Sequence, residues 1–104
     1  MSSIKLQSEY KDLDKYKDND GNIVYYKKGT KAVHNPYDPA VIYNNKYIAY
    51  VIKNKYHRLD GPAIIYSSGE EVYYINGEYL TKEEFEIHPE RLKFLGKEYL
   101  ICLG

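Results

Sequence analysis

His34-Asn-Pro-Tyr-Asp-Pro-Ala-Val-Ile-Tyr43 returns 23 positions later as His57-Arg-Leu-Asp-Gly-Pro-Ala-Ile-Ile-Tyr66. The register runs on past the quoted stretches, since Tyr50 maps to Tyr73, Ile52 to Ile75 and Tyr56 to Tyr79. Upstream, Gly21-Asn-Ile-Val-Tyr-Tyr-Lys-Lys-Gly29 is an earlier copy of Gly69-Glu-Glu-Val-Tyr-Tyr-Ile-Asn-Gly77, with two extra residues before His34. A short period of this kind marks a stacked array, in which each unit is one supersecondary element that cannot bury its apolar face alone.

Within each unit the pattern is that of a β-hairpin. Ala40 to Tyr43 and Tyr47 to Ile52 read as strands joined by Asn44-Asn45-Lys46. Ala63 to Tyr66 and Glu71 to Ile75 read as their equivalents, joined by Ser67-Ser68-Gly69. Asn and Gly tolerate the left-handed backbone that such turns require. Asp20-Gly21 and Asn76-Gly77 are further turn signals, and Ile23 to Tyr26 opens the array. Pro36 and Pro39 place Gly29 to Asp38 in a connection, because proline cannot donate within a sheet interior. Ile4 to Leu6 reads as a short opening strand, and the polar stretch Gln7 to Asn19 as a loop or frayed cap. At the other end Thr81-Lys-Glu-Glu84 is a capping box that opens a helix, with Phe85 and Ile87 as its first apolar contacts. His88-Pro89 kinks or restarts that helix, Gly96 stops it, and Lys97 to Cys102 reads as a short final strand or apolar tail. The expected fold is all-β with a helical addition (β-rich α+β): stacked antiparallel β-hairpins closed by a short C-terminal capping helix. A chain of 104 residues is one domain, with a cap or loop over 1–19, hairpin repeats over 20–80, and helix and tail over 81–104.

Composition narrows the function classes. Fifteen basic and fifteen acidic side chains cancel, so the chain lacks the electrostatic footprint of a nucleic-acid polymer or anionic-membrane binder. One cysteine, Cys102, excludes an internal disulfide framework and a cysteine-rich zinc site, and reads as a small buried hydrophobe. With no segment resembling a signal peptide or a membrane span, the expected location is cytoplasmic. No phosphate loop, nucleophile elbow or Cys-His dyad is present, so the chain is not expected to be an enzyme, and no cofactor or metal is expected. Asp18-Asn-Asp-Gly21 suggests calcium, but an EF-hand loop with its glycine at Gly21 would end on Lys27, where a carboxylate is needed.

Tyrosine is the outlier, with fourteen against two phenylalanines and no tryptophan. Tyr25, Tyr50 and Tyr73 align across three copies, and Tyr43 and Tyr66 across two, so each set should form a ladder on one sheet face. A ladder facing solvent offers amphipathic, low-entropy contact area for a protein or a nucleobase, whereas one facing the helix is core. His34 and His57 hold equivalent places, and could meet a phosphate or carboxylate, begin a metal site, or close a turn by bonding a backbone carbonyl. No third ligand repeats with them, and zinc requires at least three. Arg58 adds a guanidinium suited to anions, although Asn35 stands at its equivalent position. Asp60-Gly61-Pro62 has the composition of a turn.

Tyr-x-Asn-Gly, His-Arg-x-Asp-Gly-Pro-Ala and Tyr-x-x-Gly-x-x-x-Tyr, recurring every 23 residues, resemble MORN-type repeats of the variant found in small bacteriophage proteins. The full motif stands at His57 to Gly77. The match at His34 to Asn54 has Tyr37-Asp38 in place of Asp60-Gly61 and Lys46 in place of Gly69, so its turns should differ. The resemblance covers roughly residues 20–80. It implies hairpin stacking, a phage or bacterial origin, and a role as a protein or lipid interaction scaffold. The leading expectation is a non-enzymatic, phage-encoded protein that binds and inhibits or redirects a host protein, such as a defence factor, in the host cytoplasm. The candidate binding residues are Tyr25, Tyr50, Tyr73, His34, His57 and Arg58. Two alternatives stand beside it: a protein that sequesters a signalling nucleotide, with homo-oligomers pairing two incomplete arrays, and a structural or virion-associated component.

Overall fold

A computed structural model describes residues 3–96. In chain order the elements are β1 (Ile4–Leu6), β2 (Leu13–Lys17), β3 (Ile23–Lys27), β4 (Val41–Tyr43), β5 (Tyr47–Ala49), β6 (Val51–Ile52), β7 (Lys55–Tyr56), β8 (Ile64–Tyr66), β9 (Glu71–Ile75), β10 (Glu78–Leu80), α1 (Lys82–Glu86) and α2 (Pro89–Phe94). Eight strands form one sheet in the order β1-β2-β3-β4-β5-β8-β9-β10, and β6 pairs with β7 in a separate small hairpin. Every strand pair is antiparallel. The fold is therefore β-rich with a short C-terminal helical region, as expected.

The 23-residue register survives down to single backbone hydrogen bonds. Ala40 N–H donates to Ala49 O and Ala63 N–H to Val72 O, both at 2.9 Å. Asn35 N–H donates to Val51 O at 2.9 Å, and Arg58 N–H to Tyr74 O at 3.2 Å. Each copy carries a second hairpin after the first, turning at Lys53-Asn54 and at Asn76-Gly77. Both residues of each turn have positive φ, the geometry whose twist matches the flanking strands. The turns between β4 and β5 and between β8 and β9 differ, as expected: the left-handed residue is Asn45 in one and Gly69 in the other, one position apart. The predicted strand Tyr47 to Ile52 is split at Tyr50 into β5 and β6, whereas its equivalent β9 is continuous.

Two apolar clusters hold the sheet. Ala40, Ala49, Val51 and Ile64 form one, with Val33, Val41, Tyr47, Val72 and Tyr74 packed against them. Ile75, Leu80 and Phe85 form the other, with Leu59 and Tyr73. The second is the cap. Thr81 Oγ1 accepts from Glu84 N–H at 3.1 Å while Glu84 Oε1 accepts from Thr81 N–H at 2.9 Å, so the capping box is complete. Phe85 is buried as expected, whereas Ile87, also expected to pack, is 72% exposed. His88 caps α2, Pro89 takes its first position, and Gly96 at φ +74 follows its end. The helix therefore restarts rather than kinks. The predicted strand or tail Lys97 to Cys102, Cys102 included, lies outside the described residues. Among the described residues no helix is long and apolar enough to cross a membrane.

The stretch Gln7 to Asn19 is not a loop throughout. Leu13–Lys17 pairs with β3 along its whole length, completing a third hairpin of the array, and β1 pairs with its outer edge. Its polar composition hid it, because its charges are spent locally. Asp14 accepts from Gly29 N–H at 3.0 Å and pairs with Lys5 at 3.2 Å, while Lys15 pairs with Glu9 at 3.5 Å. The Gly29 amide first, and Lys5 second, hold the Asp14 carboxyl below its ordinary range. Leu13, 2% exposed, anchors the strand. Leu13→Ala is expected to cost about 2–4 kcal/mol in urea denaturation, as a fully buried leucine does. A loss below about 0.5 kcal/mol, the level of a surface loop, would remove β2 from the cooperative fold.

Candidate functional site

The motif His-Arg-x-Asp-Gly-Pro-Ala acts first as an internal fastening. His34 Nδ1 accepts from the Lys53 amide at 3.0 Å, and His57 Nδ1 from the Asn76 amide at 2.9 Å. Each histidine thus closes the turn of its own second hairpin, accepting from an N–H rather than donating to a carbonyl. Arg58 lays its guanidinium 4.0 Å from the centre of the Tyr50 ring, donates from Nε to Asp60 at 2.8 Å and from Nη1 to the Pro62 carbonyl at 3.1 Å. A Cβ at Gly61 would meet the guanidinium carbon at 3.0 Å, so glycine is what leaves it room. In the other copy Asn35 Nδ2 reaches the equivalent Pro39 carbonyl at 3.4 Å, and no guanidinium needs room at Asp38. Arginine with glycine, and asparagine with aspartate, are two solutions to one loop.

Tyr25, Tyr50 and Tyr73 share a face, but each lies under a different cover. Tyr10 meets Tyr25 edge-on at 5.5 Å, and Glu9 accepts the Tyr25 hydroxyl at 3.0 Å. Burial first, and Glu9 second, push that hydroxyl's pKa well up, and the residue is 4% exposed. Arg58 covers Tyr50, and Phe85 covers Tyr73 at 4.7 Å. The covers come from the N-terminal segment, a repeat loop and the capping helix respectively. Tyr50, His57 and Arg58 do meet, lining a cleft of about 370 Å³ together with Tyr37, Leu59 and Phe94. Tyr25, Tyr73 and His34 are not part of its lining. Arg58 occupies a face of Tyr50 on which a base would stack, and two of its donors are already engaged. Among the described residues no group of three or more His, Cys, Asp or Glu side chains could hold a metal ion.

The open tyrosine surface lies on the opposite face. Tyr43, Tyr47 and Tyr66 are direct cross-strand partners, with ring centres 5.4 and 5.8 Å apart. Tyr56, Tyr74 and Tyr79 form a second triad at 5.1 and 5.8 Å. Both triads flank the row Val41, Ala49, Ile64 and Val72, and Tyr47 and Tyr74 pack on that core. Burial, and then the neighbouring Tyr56, Tyr43 and Tyr66, raise the Tyr47 pKa. Tyr43, Tyr56, Tyr66 and Tyr79 are 43, 37, 38 and 61% exposed. The period pairs Tyr43 with Tyr66 and Tyr56 with Tyr79. What the sequence lacks is the register between strands that gathers them.

The chain matches no protein-family model, no curated protein and no solved structure.

The turn-closing histidines impose a pH dependence. With Nδ1 as acceptor, the imidazole is neutral and carries its proton on Nε2, and protonating Nδ1 removes the bond. Burial holds both pKa values below the ordinary 6.5, Lys27 and Lys53 pushing His34 the same way while Asp12 opposes, and Glu90 opposing at His57. The unfolded chain therefore takes up protons first as pH falls. This stabilisation is complete above the unfolded value and is lost as pH drops through the folded one. Urea denaturation should show stability falling from about pH 7.5 to about pH 5, and a flatter profile for the double variant His34→Gln/His57→Gln. Equal slopes in the two proteins would remove the histidines from this role.

Proposed function

We propose that this chain is a non-enzymatic interaction protein whose contact face is the tyrosine band of Tyr43, Tyr47, Tyr56, Tyr66, Tyr74 and Tyr79. The observation that carries the reading is that the two triads flank one core row, on which Tyr47 and Tyr74 both pack, with four rings well exposed. Tyrosine supplies large contact area and a hydrogen-bonding hydroxyl while fixing only two side-chain torsions, so it gains binding energy at low entropic cost. Five of the rings also stand on the eight-stranded sheet and Tyr56 on the β6–β7 hairpin, which positions them before a partner arrives. On the resemblance of the repeat to phage arrays, the partner is a host protein, the class that includes defence factors. The nucleotide-sequestering alternative is weaker, because Arg58 already fills a face of Tyr50.

Alanine pairs test the assignment. Tyr43→Ala/Tyr66→Ala and Tyr56→Ala/Tyr79→Ala should each leave circular dichroism unchanged and weaken capture of the partner from host cells by at least roughly tenfold, the effect of losing central aromatic anchors. Undiminished capture by both folded variants would overturn the placement.

A further inference from the structure

An antiparallel sheet with one wet face alternates apolar and polar residues along each strand. Ala40-Val41-Ile42-Tyr43 and Ala63-Ile64-Ile65-Tyr66 do not alternate; they read as strands covered on both sides. One side is accounted for by the core row that contains Val41, Ala49 and Ile64. On the other, direct cross-strand pairing aligns Lys17, Ile23, Ile42, Ile48, Ile65 and Glu71 on six adjacent strands. The four isoleucines are half-buried and belong to neither apolar cluster. The covers over Tyr25, Tyr50 and Tyr73 rest on the next row along, so the described residues leave the isoleucine row without one. At about 4.8 Å per strand the row is about 24 Å long. About its midpoint, between β4 and β5, it is symmetric in apolar character and antisymmetric in charge.

We propose that this row is the contact surface for a second copy of the chain, the two packing face to face about a twofold axis parallel to the strands between β4 and β5. That axis reverses the strand order. Lys17 then faces the partner's Glu71, Ile23 the partner's Ile65, and Ile42 the partner's Ile48, as an isologous interface demands. The twofold axis along the row would instead set lysine against lysine and glutamate against glutamate, so charge selects between the two. Both charges are available. Among the described residues Lys17 is in none of the salt bridges, and the Glu71 carboxylate accepts from the Tyr73 hydroxyl alone, at 3.4 Å. A single row is small beside the roughly 800 Å² per partner of stable complexes, so the dimer is concentration-dependent in the micromolar range. It uses the face opposite the tyrosine band, leaves that band open and presents it twice. Its failure and the failure of the partner-binding reading are therefore separate results.

Sedimentation equilibrium of the full chain from about 5 to 200 μM tests it. A monomer–dimer equilibrium is expected, weakened more than tenfold by Ile48→Lys and by roughly tenfold by Lys17→Glu, and restored by Lys17→Glu/Glu71→Lys. Because Lys17 and Glu71 are exposed, the charge exchange stays informative should Ile48→Lys fail to fold. A monomer at every concentration would overturn the proposal, with the cover then supplied by the chain's own residues 97–104 or by a different protein. So would a dimer in which the double charge variant is no tighter than the single one.

Discussion

The pairing of β5 with β8 is the joint on which the array depends. It is where one copy of the repeat meets the next, through Tyr47 with Tyr66, Ile48 with Ile65 and Ala49 with Ile64. A lone hairpin buries too little apolar surface to persist in water, and its strands acquire a core only when a neighbour continues the sheet. Once β5 lies against β8, three rows form together: the exposed tyrosines, the buried core and the outward isoleucines. Ala49 and Ala63 are wholly buried beside this joint. Small residues there let the second hairpins and their loops come close to the sheet.

The rest of the repeat motif holds each copy's connecting loop to that joint. Histidine fixes the second turn, arginine or asparagine reaches the proline carbonyl, and glycine is present where a guanidinium needs the space. Residues that resemble an anion site on paper are thus largely occupied by their own backbone. A buried or half-buried polar group left without a partner costs more than a typical hydrogen bond gains, which is why loop residues of this kind find such partners.

The ends of the array are finished in different ways. At the C-terminal end, Phe85 of the capping helix comes down on Tyr73 and Ile75, in place of a further hairpin. At the N-terminal end a strand with little apolar character completes the third hairpin, its charges paired to Lys5, Glu9 and the Gly29 amide. Tyr10 stacks on Tyr37 and bonds Asp38, tying the first segment to the loop before β4. The turn at Asp20-Gly21 was readable, but a hairpin turn requires a strand on both sides. Leu13 to Lys17 does not read as a strand because its charged residues are satisfied by ion pairs and a backbone amide and its alternation is not one of hydrophobicity.

The sequence alone determined the period, the first hairpin of each copy and the capping box, since each is a local pattern of side-chain periodicity, glycine and asparagine placement, or hydrogen bonding within a few residues. The second hairpin that turns at Lys53-Asn54 and splits the expected strand Tyr47 to Ile52 carries no glycine to announce it. Nor could the sequence decide which tyrosines are open. In the central strands both faces are apolar, so alternation carries no label for inside and outside. The groups that cover Tyr25, Tyr50 and Tyr73 are Tyr10, Arg58 and Phe85, which lie 8 to 15 residues away along the chain. Only the cross-strand register brings Tyr43, Tyr47 and Tyr66 into one row, and Lys17 and Glu71 to opposite ends of another. Contacts between distant segments set that register, and the tertiary structure was needed to reveal it.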